Sequence, residues 1–340
     1  MNDLTERLEL ALVARQELID EDPQHEGAWR LFNGFYEGYR DLAVDVYAKT
    51  AVVHNYAKLP ADGEAAVAIA RQFIMIHLPW IEAILLKTRK GASAEAKNGI
   101  LIYGEKLDTS VREHGVRYAI DLTMNRDASL YLDTRELRQW LIDNSEGKTV
   151  LNTFAYTGSL GTAAMSGGAK QVVQTDLNKK FLNVAKTSYT LNGFPINKKD
   201  FLTGDFFSVI KQFKNDNARF DIILLDPPFF STTGKGNVDL SENIGRLINR
   251  LRPLVNEGGK LIAINNALFV SGDEYSRELK GLAEHRFVRF LSQVDVPADF
   301  TGYKNTRVDE PITDPAPFNH STKIAVLDIW HKRKVGRGER

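Results

Sequence analysis

Thr149-Val150-Leu151-Asn152-Thr153-Phe154-Ala155-Tyr156-Thr157-Gly158-Ser159-Leu160-Gly161 is the stretch on which the fold turns. It reads as a short strand, 149–153, that runs into a glycine-containing turn and then a helix from Leu160. Such a turn brings backbone to a ligand at the strand's carboxyl end, and glycines serve there because a side chain would block the approach. Alone the loop is a weak signal, because glycines end many strands harmlessly. It also lacks the spacing G-x-G-x-x-G. The tight packing on a dinucleotide pyrophosphate has lost its first glycine, which counts against a nicotinamide cofactor.

Downstream, strand and helix alternate. Strands are expected at 171–176, 199–202, 220–226 and 261–265, with helices at 178–191, from Phe207, from Ser241 and from Asp273. Alternation of this kind argues an α/β fold, a doubly wound and mostly parallel sheet with helices on both faces. The last two strands, near 287–294 and 324–330, have no helix between them. They are expected to form an antiparallel hairpin at the sheet edge, which methyltransferases have and dehydrogenases usually lack.

Upstream the pattern is different. Residues 1–22 read as one amphipathic helix on Leu4, Leu8, Leu12, Val13 and Leu18, stopped by Asp22-Pro23. Strand-like runs follow at 29–32, 42–47, 51–56, 81–88, 100–103 and 116–122, with helices at 63–77 and 133–142. Helices do not separate these strands regularly, so this is a smaller α+β region. The expected organisation is an N-terminal helix at 1–24, the α+β region at 25–127 and a connecting helix at 128–147. The α/β domain then occupies 148–332, and a basic tail 333–340.

Of the 340 residues, 43% are apolar and 26% charged, the mix of a globular protein able to bury a core unaided. Cysteine is absent, which removes disulfides, thiolate zinc sites and any thiol nucleophile. Basic and acidic residues both number 44, so a nucleic-acid surface can only be a local patch. No stretch reads as a signal peptide, and apolar runs such as 81–86 are too short for a bilayer, so a cytoplasmic location and no membrane partner are expected. None of the seven histidines has metal-ligand spacing, and no metal is expected. Asn319-His320-Ser321 reads as structural, or at most as a rim contact.

Three acids end strands. Asp176 stands where a carboxylate can hydrogen-bond both hydroxyls of a ribose, or can cap the helix starting near Asn178. Asp205 follows the third strand, placed to accept from an adenine amino group with Phe206 against the ring, or again to cap a helix. The most informative segment is Asp221-Ile222-Ile223-Leu224-Leu225-Asp226-Pro227-Pro228-Phe229-Phe230. A buried apolar strand delivers an acid, two prolines and an aromatic to the crevice. The prolines leave carbonyls that only accept, a rim suited to an exocyclic amine or base edge on which an aromatic can stack. The bland alternative is a plain loop with a packed phenylalanine.

With these pieces in view the chain resembles the bacterial large-subunit ribosomal RNA base methyltransferases, the group with cytosine-C5 and guanine-N7 enzymes. The matching segments are Asn152-Thr153-Phe154-Ala155-Tyr156-Thr157-Gly158, Gln174-Thr175-Asp176 and Asp226-Pro227-Pro228-Phe229-Phe230-Ser231. Leu130-Tyr131-Leu132-Asp133-Thr134-Arg135 resembles the element before the cofactor domain. Arg30-Leu31-Phe32-Asn33-Gly34 and Leu42-Ala43-Val44-Asp45-Val46-Tyr47 resemble the central hairpin-rich domain. The resemblance implies S-adenosylmethionine as cofactor, lined by Phe154, Ala155, Tyr156, Thr157, Gly158, Asp176, Asp205, Phe206 and Asp226. Asp133 and Arg135 would shape its methionine end. It implies RNA, ribosomal RNA first, as partner.

Two departures matter. No counterpart of the N-terminal PUA-type domain of many relatives is expected, so docking on RNA is expected to use 29–122 and basic groups such as Lys87, Arg89, Lys90 and the tail, unless these are only a solvated face. Cytosine-C5 enzymes place a cysteine near the end of the fifth strand, because C5 is not nucleophilic until a thiolate adds at C6. Here that place holds Ile264-Asn265-Asn266-Ala267. Asn265 and Asn266 could contact a base edge, or cap the following segment. The expected activity is methyl transfer to a nucleobase nitrogen, guanine first, with Asp226, Pro227, Pro228, Phe229, Asn265 and Asn266 at the reacting end. Methylation of DNA, protein or a small molecule, and a non-catalytic cofactor-binding assembly factor, remain rivals.

Overall fold

The computed structural model describes residues 2–233, 236–239, 244–283 and 287–331. Five strands form the first sheet in chain order: β1 (Ala28–Asn33), β2 (Leu42–Tyr47), β3 (Thr50–Asn55), β4 (Ala83–Thr88) and β5 (Ile100–Tyr103). Only β3 and β4 run parallel, and the helix Glu64–His77 supplies the crossover that a parallel pair requires. Ala66, Ala70, Phe73 and Ile74 recur on one face of that helix and bury against Leu31, Val44 and Val53. Leu4 and Leu8 of the helix Asn2–Ala14 close the same core.

The N-terminal helix is shorter than its apolar spacing implies. It stops at Ala14, and a separate turn, Gln16–Asp20, follows. Arg15 between them leaves helical geometry (φ −104°, ψ 9°) and is wholly buried. Its guanidinium grips the Glu37 carboxylate at 3.0 and 3.1 Å and donates to the Asp299 carbonyl at 2.8 Å. A hairpin follows the first sheet, β6 (Ser110–Glu113) and β7 (Val116–Ala119). Only its second strand is legible, because the first carries a single apolar residue, Val111.

The helix Arg135–Asn144 leads into the larger sheet. Its strands are β8 (Thr149–Thr153), β9 (Gln171–Asp176), β10 (Phe201–Thr203) and β11 (Phe220–Leu225), followed beyond a small hairpin, β12 (Phe230–Thr233) and β13 (Gly236–Asp239), by β14 (Val255–Asn265), β15 (Val288–Val294) and β16 (Lys323–Ile329). The order is β10-β9-β8-β11-β14-β16-β15; the first five are parallel, and β16 runs antiparallel to both neighbours. This is the doubly wound sheet expected, with its antiparallel edge. Val150, Ile222 and Ile262 face one apolar layer with Leu137 and Leu160, while Leu151, Ile223 and Leu261 face the other with Leu247 and Tyr275. Burial on both faces explains the continuous apolar runs. Strand β14 starts six residues before its apolar run because its polar first part, Asn256-Glu257-Gly258-Gly259-Lys260, hides it. The expected helix start at Ser241 and the tail beyond His331 lie outside the described residues; the helix is seen as Ile244–Leu251.

Residues 295–322, between β15 and β16, cross to the first sheet. Asp299 accepts from the Arg30 backbone N–H at 2.9 Å and pairs with Arg135, and Asn33 donates to the Phe300 carbonyl at 2.6 Å. This strap is tied to β1 by buried hydrogen bonds and to the helix Arg135–Asn144 by the largely buried Asp299–Arg135 ion pair, whose rupture costs about 3–5 kcal/mol. Among the described residues no helix is long and apolar enough to cross a membrane.

Candidate active site

The loop after β8 is held in an unusual shape. Phe154 (φ 53°), Tyr156 (φ 50°) and Gly158 (φ 74°) all adopt left-handed backbone. That conformation is costly for the two aromatic residues and persists because the surroundings over-determine it. The Ala155 N–H donates to the Thr175 carbonyl at 2.9 Å, and the Tyr156 N–H to Asp176 Oδ2 at 2.9 Å. The Thr157 hydroxyl donates to the Ser129 carbonyl, and the Tyr156 hydroxyl lies 3.2 Å from the Ala128 carbonyl. Glycine has a packing reason here as well. A Cβ on Gly158 would lie 2.4 Å from the Ala185 Cβ, and one on Gly161 would lie 2.5 Å from Gln174. Both glycines therefore serve close packing within the protein.

The carboxyl ends of β8, β9, β10 and β11 open on a cavity of about 940 Å³ that extends to the first sheet. Asp176 accepts one backbone N–H on each oxygen, from Tyr156 and from Asn178 at 2.8 Å. Burial raises its carboxyl pKa despite these donors. Asn178, not Asp176, caps the helix Lys179–Leu191. Two acceptor oxygens with lone pairs to spare thus border the cavity at the end of β9. Asp205 does cap its helix, accepting from the Ser208 N–H at 3.2 Å, and it lines the cavity as well. Phe206 is buried and stacks on Phe154, with ring centroids 4.8 Å apart. Tyr156 is flanked by Tyr131 at 5.3 Å and edge-on by Phe181 at 4.6 Å.

Asp226 has no hydrogen-bonding partner among the described residues, and burial together with the nearby Asp133 carboxylate pushes its pKa up to about 7. Asp133 accepts from the Thr322 hydroxyl at 2.8 Å. Pro227 is buried, whereas Phe229 stands 46% exposed at the rim.

Of the residues expected from sequence, Asp133, Phe154, Tyr156, Asp176, Asp205, Phe206, Asp226, Pro227, Pro228, Phe229 and Asn266 all line this cavity. Ala155, Thr157 and Gly158 stand behind it. Arg135 does not line it, because its guanidinium turns to Asp299 and the Ala28 carbonyl. Asn265 does not either: it is wholly buried and its Oδ1 accepts from the Ala267 N–H at 2.9 Å, the capping alternative. Lys87 is no surface contact, since it is buried with its ammonium on the Asn125 and Asp127 carbonyls at 2.8 and 3.2 Å.

The wall toward the first sheet holds residues outside the expected site. Arg30 is bidentate on Asp45 at 2.6 and 3.0 Å, and His54 Nε2 lies 3.0 Å from the same carboxylate. Burial opposes ionisation of Asp45, but Arg30 and His54 outweigh it and hold the carboxyl well below its usual range. The signal was present in three apolar strands each interrupted by one charged or titratable residue, with Arg30 and Asp45 paired directly across the ladder.

Residues 85–307 match the S-adenosylmethionine-dependent methyltransferase family. The chain belongs to that family. Relatives of this methyltransferase bear out the resemblance read from its motifs. The ribosomal RNA large subunit methyltransferase K/L of Shewanella frigidimarina is 32% identical over 263 residues, 74% of this chain and 35% of that protein. The large subunit methyltransferase I of Alteromonas mediterranea is 27% identical over 337 residues, 95% of this chain and 79% of that one. The methyltransferase thus spans about a third of the K/L relative's length. In fold it is similar to SMU.776, whose crystal structure holds S-adenosylhomocysteine: TM-score 0.81 at 22% identity, covering 96% of this chain and 81% of that one. The shared fold therefore includes the five-stranded sheet.

Proposed function

We propose that the chain transfers the methyl group of S-adenosylmethionine to a nitrogen of an RNA base, guanine ahead of adenine, with ribosomal RNA as substrate. The observation that carries this reading is the one continuous cavity. It joins the acids after β9 and β10 to the Asp226-Pro227-Pro228-Phe229 rim after β11. The spare acceptor capacity of Asp176 suits a ribose, Asp205 an adenine amino group, and Asp133 the charged amine of the methionine end. When bound, the cofactor supplies an electrophilic methyl on a sulfonium. A nitrogen lone pair then needs alignment and desolvation rather than activation. Asp226 and the proline carbonyls accept from a base amine, and the exposed Phe229 offers a stacking face. A carbon acceptor fits poorly, because the chain has no cysteine to add at C6. The names of the K/L and I relatives support ribosomal RNA. A cytoplasmic location belongs to the same proposal.

The test presents purified protein and labelled S-adenosylmethionine with unmodified ribosomal RNA, DNA and protein. Ribonuclease should release the label. Label released only by deoxyribonuclease or protease would overturn the RNA reading.

A further inference from the structure

His320 lines the cavity on the strap that follows Phe300, yet it is only 8% exposed. Three neighbours hold its ring. Phe300 meets it edge-on at 5.4 Å, Tyr36 edge-on at 5.8 Å, and the Thr322 backbone N–H donates to its Nδ1 at 2.9 Å. Arg30 in turn lies 4.0 Å over the Phe300 ring, so the first sheet braces this arrangement. A backbone N–H can only donate, so Nδ1 carries the lone pair and the ring proton resides on Nε2. Burial and the charges of Arg30, Lys323 and Arg307 push the imidazole pKa down to about 3, which keeps the ring neutral near pH ~7. Nε2 has no hydrogen-bonding partner among the described residues. Unpaired by the protein, the Nε2–H opens on the cavity, where a ligand or water can complete its hydrogen bond.

Its place is informative. Thr322, two residues on, donates to Asp133, which lies close enough to Asp226 to raise its carboxyl. The donor therefore borders the same space as the Asp226 rim. We infer that His320 Nε2–H donates to a ring nitrogen or carbonyl oxygen of the acceptor base and so selects the base edge presented for methylation. This deepens the RNA-base reading above and rests on it.

Methyl transfer to an unmodified large-subunit ribosomal RNA transcript tests it, with cofactor affinity measured by calorimetry and thermal melting measured alongside. His320→Leu keeps an apolar ring-sized side chain but no donor. It should lower kcat/KM for the transcript about 10-fold or more, with cofactor affinity unchanged. His320→Gln, which restores an N–H near Nε2, should recover most of that loss. A His320→Leu protein that transfers at the wild-type rate overturns the inference alone. So does loss of transfer in both variants together with cofactor affinity and melting temperature, because the ring would then only be packing. A wild-type protein that labels no RNA overturns the RNA reading and this inference with it.

Discussion

The two walls of the cavity are built in opposite ways. Phe154 and Tyr156 follow β8, Asp176 ends β9, Asp205 follows β10 and Asp226 follows β11, each within three residues of the carboxyl end of a strand in the parallel part of one sheet. The facing wall draws Arg30, Asp45 and His54 from the first sheet, and Phe300 and His320 from a strap more than 200 residues away. The first wall is local chemistry on a rigid frame, which a doubly wound sheet gathers at one edge. The second is held together by buried ion pairs between distant segments. One wall can therefore lose a side chain and keep its shape, whereas the other depends on a few charged contacts.

The largest expected effect falls on those contacts. Asp299 carries the Arg135 ion pair and the Arg30 backbone hydrogen bond, and its side chain is 1% exposed. Asp299→Ala leaves the Arg135 guanidinium buried without its partner and should cost about 3–5 kcal/mol. Urea unfolding reads this directly. A loss below about 1 kcal/mol would mean the strap is not what joins the walls.

On the local wall, Asp176→Ala should leave folding intact and weaken S-adenosylmethionine about 10-fold or more, roughly 1.5–3 kcal/mol for a lost charge-assisted pair. Unchanged affinity in a folded variant would remove Asp176 from the cofactor site. Phe229→Ala should lose about 1–3 kcal/mol of RNA interaction while cofactor binding survives. If cofactor affinity and melting temperature fall together instead, Phe229 is a packing residue, and the comparison between walls loses its rim.

The smallest expected effect concerns Asp226. Its folded pKa, about 7, lies above the ordinary 3.8, so the folded state holds a proton that the unfolded state has shed. The stability this gives is complete below about pH 4 and is lost as pH rises through about 7. Asp226→Asn does not titrate. Its melting temperature should therefore gain on the wild type between about pH 4 and pH 8, and a gap that is flat across this window contradicts the assignment.

How much was legible follows the same division. Strand ends and the acids after them were readable because a strand buried on both faces stops where its apolar run stops, as at Leu225-Asp226. The glycines of the turn are legible as a pattern, but the atoms they approach, Ala185 and Gln174 beside Gly158, come from distant parts of the chain and leave no local signal. Asn265 and Arg135 look chemically suitable, but periodicity does not say which way a polar side chain turns. Asn265 turns to the Ala267 N–H, and Arg135 to Asp299. The strap left no periodic signal, so Phe300 emerges only from long-range contacts, and these are also what bring His320, legible as at most a rim contact, to the cavity.

The product of the reaction tests the account most directly. Purified protein, labelled S-adenosylmethionine and unmodified ribosomal RNA are incubated, the RNA is digested, and the labelled nucleoside is identified. A rim of Asp226, Pro227, Pro228 and Phe229 in a cysteine-free chain predicts a base methylated on nitrogen, guanine first. Labelled 5-methylcytosine would contradict the cysteine argument, and a labelled ribose 2′-O-methyl group would contradict the presentation of a base edge to the cavity.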